Sequence, residues 1–319
     1  MARKPRSEQI DPSRTCWFHL TSRVVQKLRR LDSKNDERKS LLLNYIKDLN
    51  SAFSLDIAAW AILGNHTHIV VRLNPDRHLE WSDSEVVERW AKIHPPRDTH
   101  YNPIQNEQRF QAWFDDRLKD KAWLEQTREK LGSVSQFMKD FKQFAAQTFN
   151  KFDKTVGHFW EGRFRSEPLD NREAVLAAMA YVDLNPFAAK LCEVPEEADF
   201  TSLKERVEAR DLAVTDNIEA SDDAVVKSSD EACDPNPERE LWFSPIDDSV
   251  CNCNGDHGLF RGYRLDSYLK LVDAVARMFR KGKHQLDKEV DGILDRLKLC
   301  GETFQDRLAR LVYRMNFVT

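Results

Sequence analysis

The largely apolar stretch TCWFHLTSRVV, 15–25, predicts a first strand, and a charged connection leads from it to an amphipathic helix near 35–52. LDIAAWAIL, 55–63, is apolar on both faces and predicts a central strand. Gly64 and Asn65 spell a hairpin turn into another strand within ILGNHTHIVVRLNP, 62–75, so these two strands are expected as antiparallel neighbours. From 76 to about 130 the chain turns polar and Trp-rich, and reads as an insertion. There SDSE, 82–85, fits a capping box opening a helix that Pro95 and Pro96 end, and Trp81, Trp90, Trp113 and Trp123 are expected to form a small core of their own. SVSQ, 133–136, opens a longer helix with Phe137, Phe141, Phe144, Ala145 and Thr148 on one stripe. GHFWEGRFRSEPL, 157–169, then predicts a fourth strand with Arg163 and Arg165 on one face. The order β-α-β-β-α-β predicts an α+β protein: a ferredoxin-like antiparallel sheet with packed helices.

Beyond the sheet, DNRE, 170–173, launches the helix AVLAAMAYVDLNP, which Pro186 is expected to stop. Residues 205–240 are charged and poor in large apolar side chains, the composition of a flexible acidic linker. Two amphipathic stretches, 265–279 and 304–317, predict a small C-terminal helical module over 241–319.

Composition narrows the class. The 319 residues can bury a substantial core. No apolar run approaches the roughly 18 residues of a membrane helix, and no signal-peptide core follows the charged start, so no membrane partner and a cytoplasmic location are expected. Six scattered cysteines argue for reduced thiols, and CNCNGDH at 251–257, lacking a matching second half, reads as a loop. A net charge of −4 argues against nucleic acid only as a sum. Residues 1–39 are markedly basic, beginning with Arg3, Lys4 and Arg6, and local patches are what phosphates feel.

The candidate chemistry lies on the hairpin strand and the helix before Pro186. Successive strand side chains point to opposite faces, so His66 and His68 share one face while Thr67, Ile69, Val71 and Leu73 make the other. Tyr181 and Asn185 are four apart and share a helix face, with small Ala177 and Ala178 one turn earlier. Each has an ordinary structural reading. Together they suggest two imidazoles and an amide oxygen holding a divalent cation, beside a phenol able to attack a phosphodiester and keep its bond energy in a phosphotyrosine.

GNHTHIVVRL, FWEGRFRS and MAYVDLNPFAAKL, in that order and separation, resemble the REP-associated tyrosine transposases, a branch of the single-tyrosine HUH transposases. The start CWFHLTSR, the stretch around EWSDSEVVERW and the late LDSYLKLVDAV resemble longer members of that group. With the linker set by composition, a catalytic domain over 1–204 carrying the insertion at about 76–130, the linker 205–240 and the helical module 241–319 are expected. By the resemblance, His66, His68 and Asn185 are metal ligands for Mg2+ or Mn2+ and Tyr181 is the nucleophile that cleaves and rejoins single-stranded DNA flanked by hairpins. Thr67 stands at a position usually apolar in the family, and Asn185 where related insertion-sequence enzymes often carry Gln. Short palindromic hairpins are the implied partner, with Arg163, Arg165, Arg3, Lys4 and Arg6 as candidate DNA contacts. His19 on the first strand is read as structural.

Two other readings fit parts of the sequence. A two-histidine phosphodiesterase needs His-x-Thr/Ser twice, which His19-Leu20-Thr21 satisfies and His66-Thr67-His68 does not. A domesticated, catalytically silent hairpin-binding protein would keep the DNA surface without cleavage. A monomer with a self-contained site and a homodimer that shares its sites both fit.

Overall fold

The computed structural model describes residues 15–210, 236–252, 255, 258–278 and 283–297. Strands β1 (Cys16–Arg23), β2 (Leu55–Ile62), β3 (His66–Leu73) and β4 (Arg165–Leu169) form one antiparallel sheet in the order β2-β3-β1-β4. Helix α1 (Glu37–Ala52) joins β1 to β2. Between β3 and β4 come α2 (Arg77–Glu80), α3 (Asp83–Ile93), α4 (Glu107–Lys119), α5 (Lys121–Leu131) and the long α6 (Val134–Phe152). This is the ferredoxin-like order, and the protein is α+β. In the β1–β4 register Trp17, His19 and Thr21 stand opposite Leu169, Glu167 and Arg165.

After β4 the chain forms α7 (Arg172–Asp183), α8 (Asn185–Ala188), a helix over 202–210 (α9), α10 (Leu265–Ala276) and α11 (Ile293–Arg296). Contacts divide the chain into two compact units: 1–57, 64–66 and 71–169 in the first, and 58–63, 67–70 and 170–319 in the second. The expected boundaries at 204 and 240 follow composition, whereas these units follow contacts.

In the first unit, Tyr45 of α1 stacks on Phe144 of α6 at 4.0 Å, and Phe53 meets Phe137 edge-on at 5.5 Å. The insertion has an interior of its own: Val86, Val87, Ala91, Leu124 and Leu131 are buried. Trp90 and Trp113 each set an edge against Trp123, at 6.4 Å. The Ser82–Glu85 capping box is complete. In the second unit Trp60, Met179, Phe187, Leu203, Phe243, Tyr268 and Leu269 are buried.

Several local expectations change. The fourth strand is only five residues long. Over 157–164 only Trp160 pairs, bridging to Val24, and the rest runs as a loop containing Gly157 at φ 106°, so Arg163 precedes the strand it was expected to share with Arg165. The cap of α7 is Asn171, whose side chain accepts from Ala174 N–H at 2.9 Å, rather than Asp170. Pro186 does not stop the helical path: α7 ends at Asp183, and Pro186 sits in the first turn of α8, where its missing N–H costs nothing. Of the linker expected over 205–240, residues 211–235 lie outside the described residues, while 205–210 belong to α9 and Pro237–Glu240 form a 3-10 turn. The helix expected over 304–317 also lies outside them, and the one expected over 265–279 is α10.

Candidate functional site

Strand β3 is anchored where it begins. Gly64 precedes it, and a Cβ there would run into the Asp32 carboxylate. Leu31 N–H donates to Gly64 O and Val24 N–H to Asn65 O, both at 2.9 Å. On β3 itself Thr67, Ile69, Val71 and Leu73 are all buried. On the opposite face lie His66 and Arg72, half-buried, and His68, only 5% exposed. The pleat alone places the two histidines on one side of the strand.

The Asn65 side-chain oxygen lies 2.6 Å from His66 Nδ1. An amide oxygen only accepts, so the proton belongs on Nδ1 and the lone pair on Nε2, the orientation that a neighbouring acceptor imposes on metal-binding histidines. His66 groups with the first unit, whereas His68, Tyr181 and Asn185 belong to the second.

Helix α7 buries Val175, Leu176, Met179, Ala180, Val182 and Asp183, and turns Tyr181 outward, 40% exposed. The Tyr181 ring nevertheless stands edge-on to His68, with centroids 5.7 Å apart. The α7–α8 junction then brings Asn185 back to the same imidazole, its amide 3.3 Å from His68 Nε2. His68, Tyr181 and Asn185 are thus gathered by β3 and the α7–α8 turn.

Two donors bound at right angles to one small divalent ion stand about 3 Å apart, since metal–ligand bonds are about 2.1 Å. The His68–Asn185 separation suits such a pair once the amide turns its oxygen to the ion, a rotation that leaves the side-chain envelope unchanged. Among the described residues no group of three or more His, Cys, Asp or Glu side chains could hold a metal.

Asp183, two residues past Tyr181, points the other way. It is fully buried and accepts from Ser202 Oγ at 2.5 Å, from Leu203 N–H at 3.0 Å and from the Tyr268 hydroxyl. Burial raises the pKa of Tyr268 well above its ordinary value, so the phenol remains the donor; burial also raises that of Asp183, against its hydrogen bonds.

His19 is pushed down to a pKa of about 4 by burial, so its ring is neutral at physiological pH. Arg163 and Arg165 are both exposed. Arg3, Lys4 and Arg6 lie outside the described residues. Part of the basic start is used internally: Arg30 and Arg38 both bind Asp153 at the end of α6. Sequence reading also passed over Asp56 in the apolar strand β2. It is fully buried and paired with Arg72 at 2.6 Å and with Arg77, and Arg72 lies 5.5 Å from the Trp17 ring centre. A carboxylate inside an apolar run, with arginines close in sequence, was the available signal.

No family model and no curated protein matches the chain. Among solved structures, it is similar to one described as a REP-associated tyrosine transposase bound to a REP hairpin. That alignment has 14% identity and a TM-score of 0.38, covering 73% of this chain and 96% of the other. A likeness of this size speaks to neither activity nor ligand. Among the described residues no helix is long and apolar enough to cross a membrane.

Proposed function

We propose that this protein is a metal-dependent tyrosine strand transferase acting on single-stranded, hairpin-flanked DNA, as its motifs imply by resemblance. The observation that carries the proposal is the meeting of a phenol and an amide on one imidazole: Tyr181 edge-on to His68 and Asn185 at its Nε2. His66, His68 and Asn185 are the proposed holders of Mg2+ or Mn2+, which when bound supplies positive charge to the phosphoryl oxygens. Tyr181 Oη gives up its proton to solvent and attacks the phosphorus, forming the Tyr–O–P bond as the P–O3′ bond breaks. The departing 3′ oxygen takes up a proton and leaves as a hydroxyl, and the DNA remains attached as a 5′-phosphotyrosine. The reverse step, attack by a 3′-hydroxyl, rejoins a strand and restores the phenol. Arg163, Arg165 and the basic residues 3–6 are proposed to hold the DNA backbone.

The test is a denaturing gel for a covalent protein–DNA adduct, using labelled hairpin oligonucleotides from the host's repeats and Mn2+. An adduct with wild type and none with Tyr181→Phe supports the reaction. A hairpin shift retained by both proteins without any adduct would favour the silent hairpin-binding reading.

A further inference from the structure

Four contacts tie the tyrosine-bearing helices to the C-terminal part of the chain, all within the second unit. At the start of α7 the Arg172 guanidinium lies 5.4 Å from the Phe260 ring centre and 5.1 Å from that of Tyr263, and both rings are buried. At its end, Asp183 receives the Tyr268 hydroxyl from α10. Past the junction, Phe187 of α8 meets the His284 ring at 4.7 Å.

Asp183 stands midway between Tyr181 and Asn185, and its position governs both. A 12-residue helix is marginal by itself, so packing sets its direction. A buried carboxylate with three donors has no comparable alternative partner, so it fixes the rotation of the last turn about the helix axis. Arg172 sets the other end. With both ends held, the α7–α8 turn has one orientation toward β3.

We propose that the stretch bearing Phe260, Tyr263 and Tyr268 is a splint for the α7–α8 turn, with Asp183 and Tyr268 as positioning residues that hold Tyr181 and Asn185 at His68. This rests on the reading of Tyr181 as the nucleophile. It gives the C-terminal stretch a part in the chemistry, in place of an independent module.

The full-length chain is tested as Tyr268→Phe, which keeps the ring and removes one donor to Asp183. Arg172→Met, at an exposed position, is the second variant should the first fail to fold. Arg296→Met is the control: its guanidinium binds Glu196 and, on α10, Asp273, which keeps Arg277 as a partner at 2.7 Å and so leaves α10 anchored. Single-turnover adduct formation is followed at saturating hairpin oligonucleotide, across Mn2+ concentrations, at a temperature where each variant is folded. Amide exchange of residues 180–188 is measured alongside.

Tyr268→Phe is expected to slow adduct formation on the order of ten- to a hundred-fold, the usual consequence of a displacement near 1 Å, while hairpin affinity stays within about twofold. It should also raise the Mn2+ concentration required and quicken exchange at the turn, and Arg172→Met should move the same readouts less. Arg296→Met should lower thermal stability and leave both rate and exchange unchanged. Wild-type rate and exchange in Tyr268→Phe, or equal slowing by Arg296→Met, would overturn the splint. If wild type forms no adduct the nucleophile reading fails, and the exchange data alone then decide whether Tyr268 holds the turn.

Discussion

Replacing Arg206 with Met should destabilise the second unit more than any surface change, for reasons that can be counted. Arg206 and Glu238 form an ion pair with side chains 0% and 1% exposed. The guanidinium also donates to Ala58 O at 3.0 Å and Ser244 O at 2.9 Å, and lies 4.6 Å from the Phe243 ring centre. Glu238 accepts in addition from Ile246 N–H at 2.9 and 3.0 Å. Met fills much of the same volume but leaves a carboxylate and two carbonyls without their cation. Breaking a buried pair from one side costs about 3–5 kcal/mol, because the remaining charge is uncompensated. Burial holds the Glu238 pKa above its ordinary value, and losing Arg206 raises it further. A carboxylate with a raised folded-state pKa is tolerated below the unfolded value and costs stability as pH rises through the folded one. The loss in Arg206→Met should therefore be smallest in acid and largest near neutrality. Urea unfolding followed by circular dichroism measures it as a lower midpoint at unchanged slope. Adding Glu238→Leu removes the stranded charge and should recover at least half of the loss. A single variant within about 1 kcal/mol of wild type at neutral pH, or a double variant no better than the single, would refute the reasoning.

Other substitutions test the hairpin and the candidate site. Gly64→Ala should lower stability by no more than about 1 kcal/mol, because the added Cβ meets the end of the half-exposed Asp32 side chain, which can turn aside, and Asp32→Ala in the same chain should restore it, read by thermal melting. His19, at a pKa of about 4, takes up its proton later than the unfolded chain at the ordinary value of 6.5. The stability its neutral ring provides is present above 6.5 and falls by about 3 kcal/mol between pH 6.5 and 4, a slope that His19→Gln should flatten. His68→Ala and Asn185→Ala should each raise the Mn2+ concentration required for adduct formation by roughly 10- to 100-fold, whereas unchanged Mn2+ dependence in both would remove them from the metal site.

Much of the fold was legible because strand and helix periods are physical. Thr67, Ile69, Val71 and Leu73 are buried together, as their spacing requires, and the Ser82 capping box forms where its side-chain chemistry puts it. Elements held by distant contacts were not legible. The fourth strand is interrupted at 161–164, between the Trp160–Val24 bridge and the Thr21–Arg165 pair, a break that no local alternation records. Arg206 sits in a segment whose charge reads as solvated linker, yet the side chain is fully buried because Glu238, 32 residues on, meets it. Asp183 reads in the sequence as an acidic residue close to Tyr181 that need not point at a metal, and only the structure shows Ser202 and Tyr268 as its donors. At the candidate site, spacing alone pairs His66 with His68 and Tyr181 with Asn185. That Tyr181 and Asn185 both come to His68 depends on the turn at Leu184, a tertiary fact.

The claim that Tyr181 is the nucleophile has a direct chemical test. Cleavage after Arg172 and after Lys190 yields the peptide EAVLAAMAYVDLNPFAAK, in which Tyr181 is the only hydroxyl-bearing side chain. A trypsin digest of the adduct, treated with nuclease and analysed by mass spectrometry, should carry a nucleotide remnant on this peptide. DNA attached to any other peptide, with this one recovered unmodified, would contradict the mechanism.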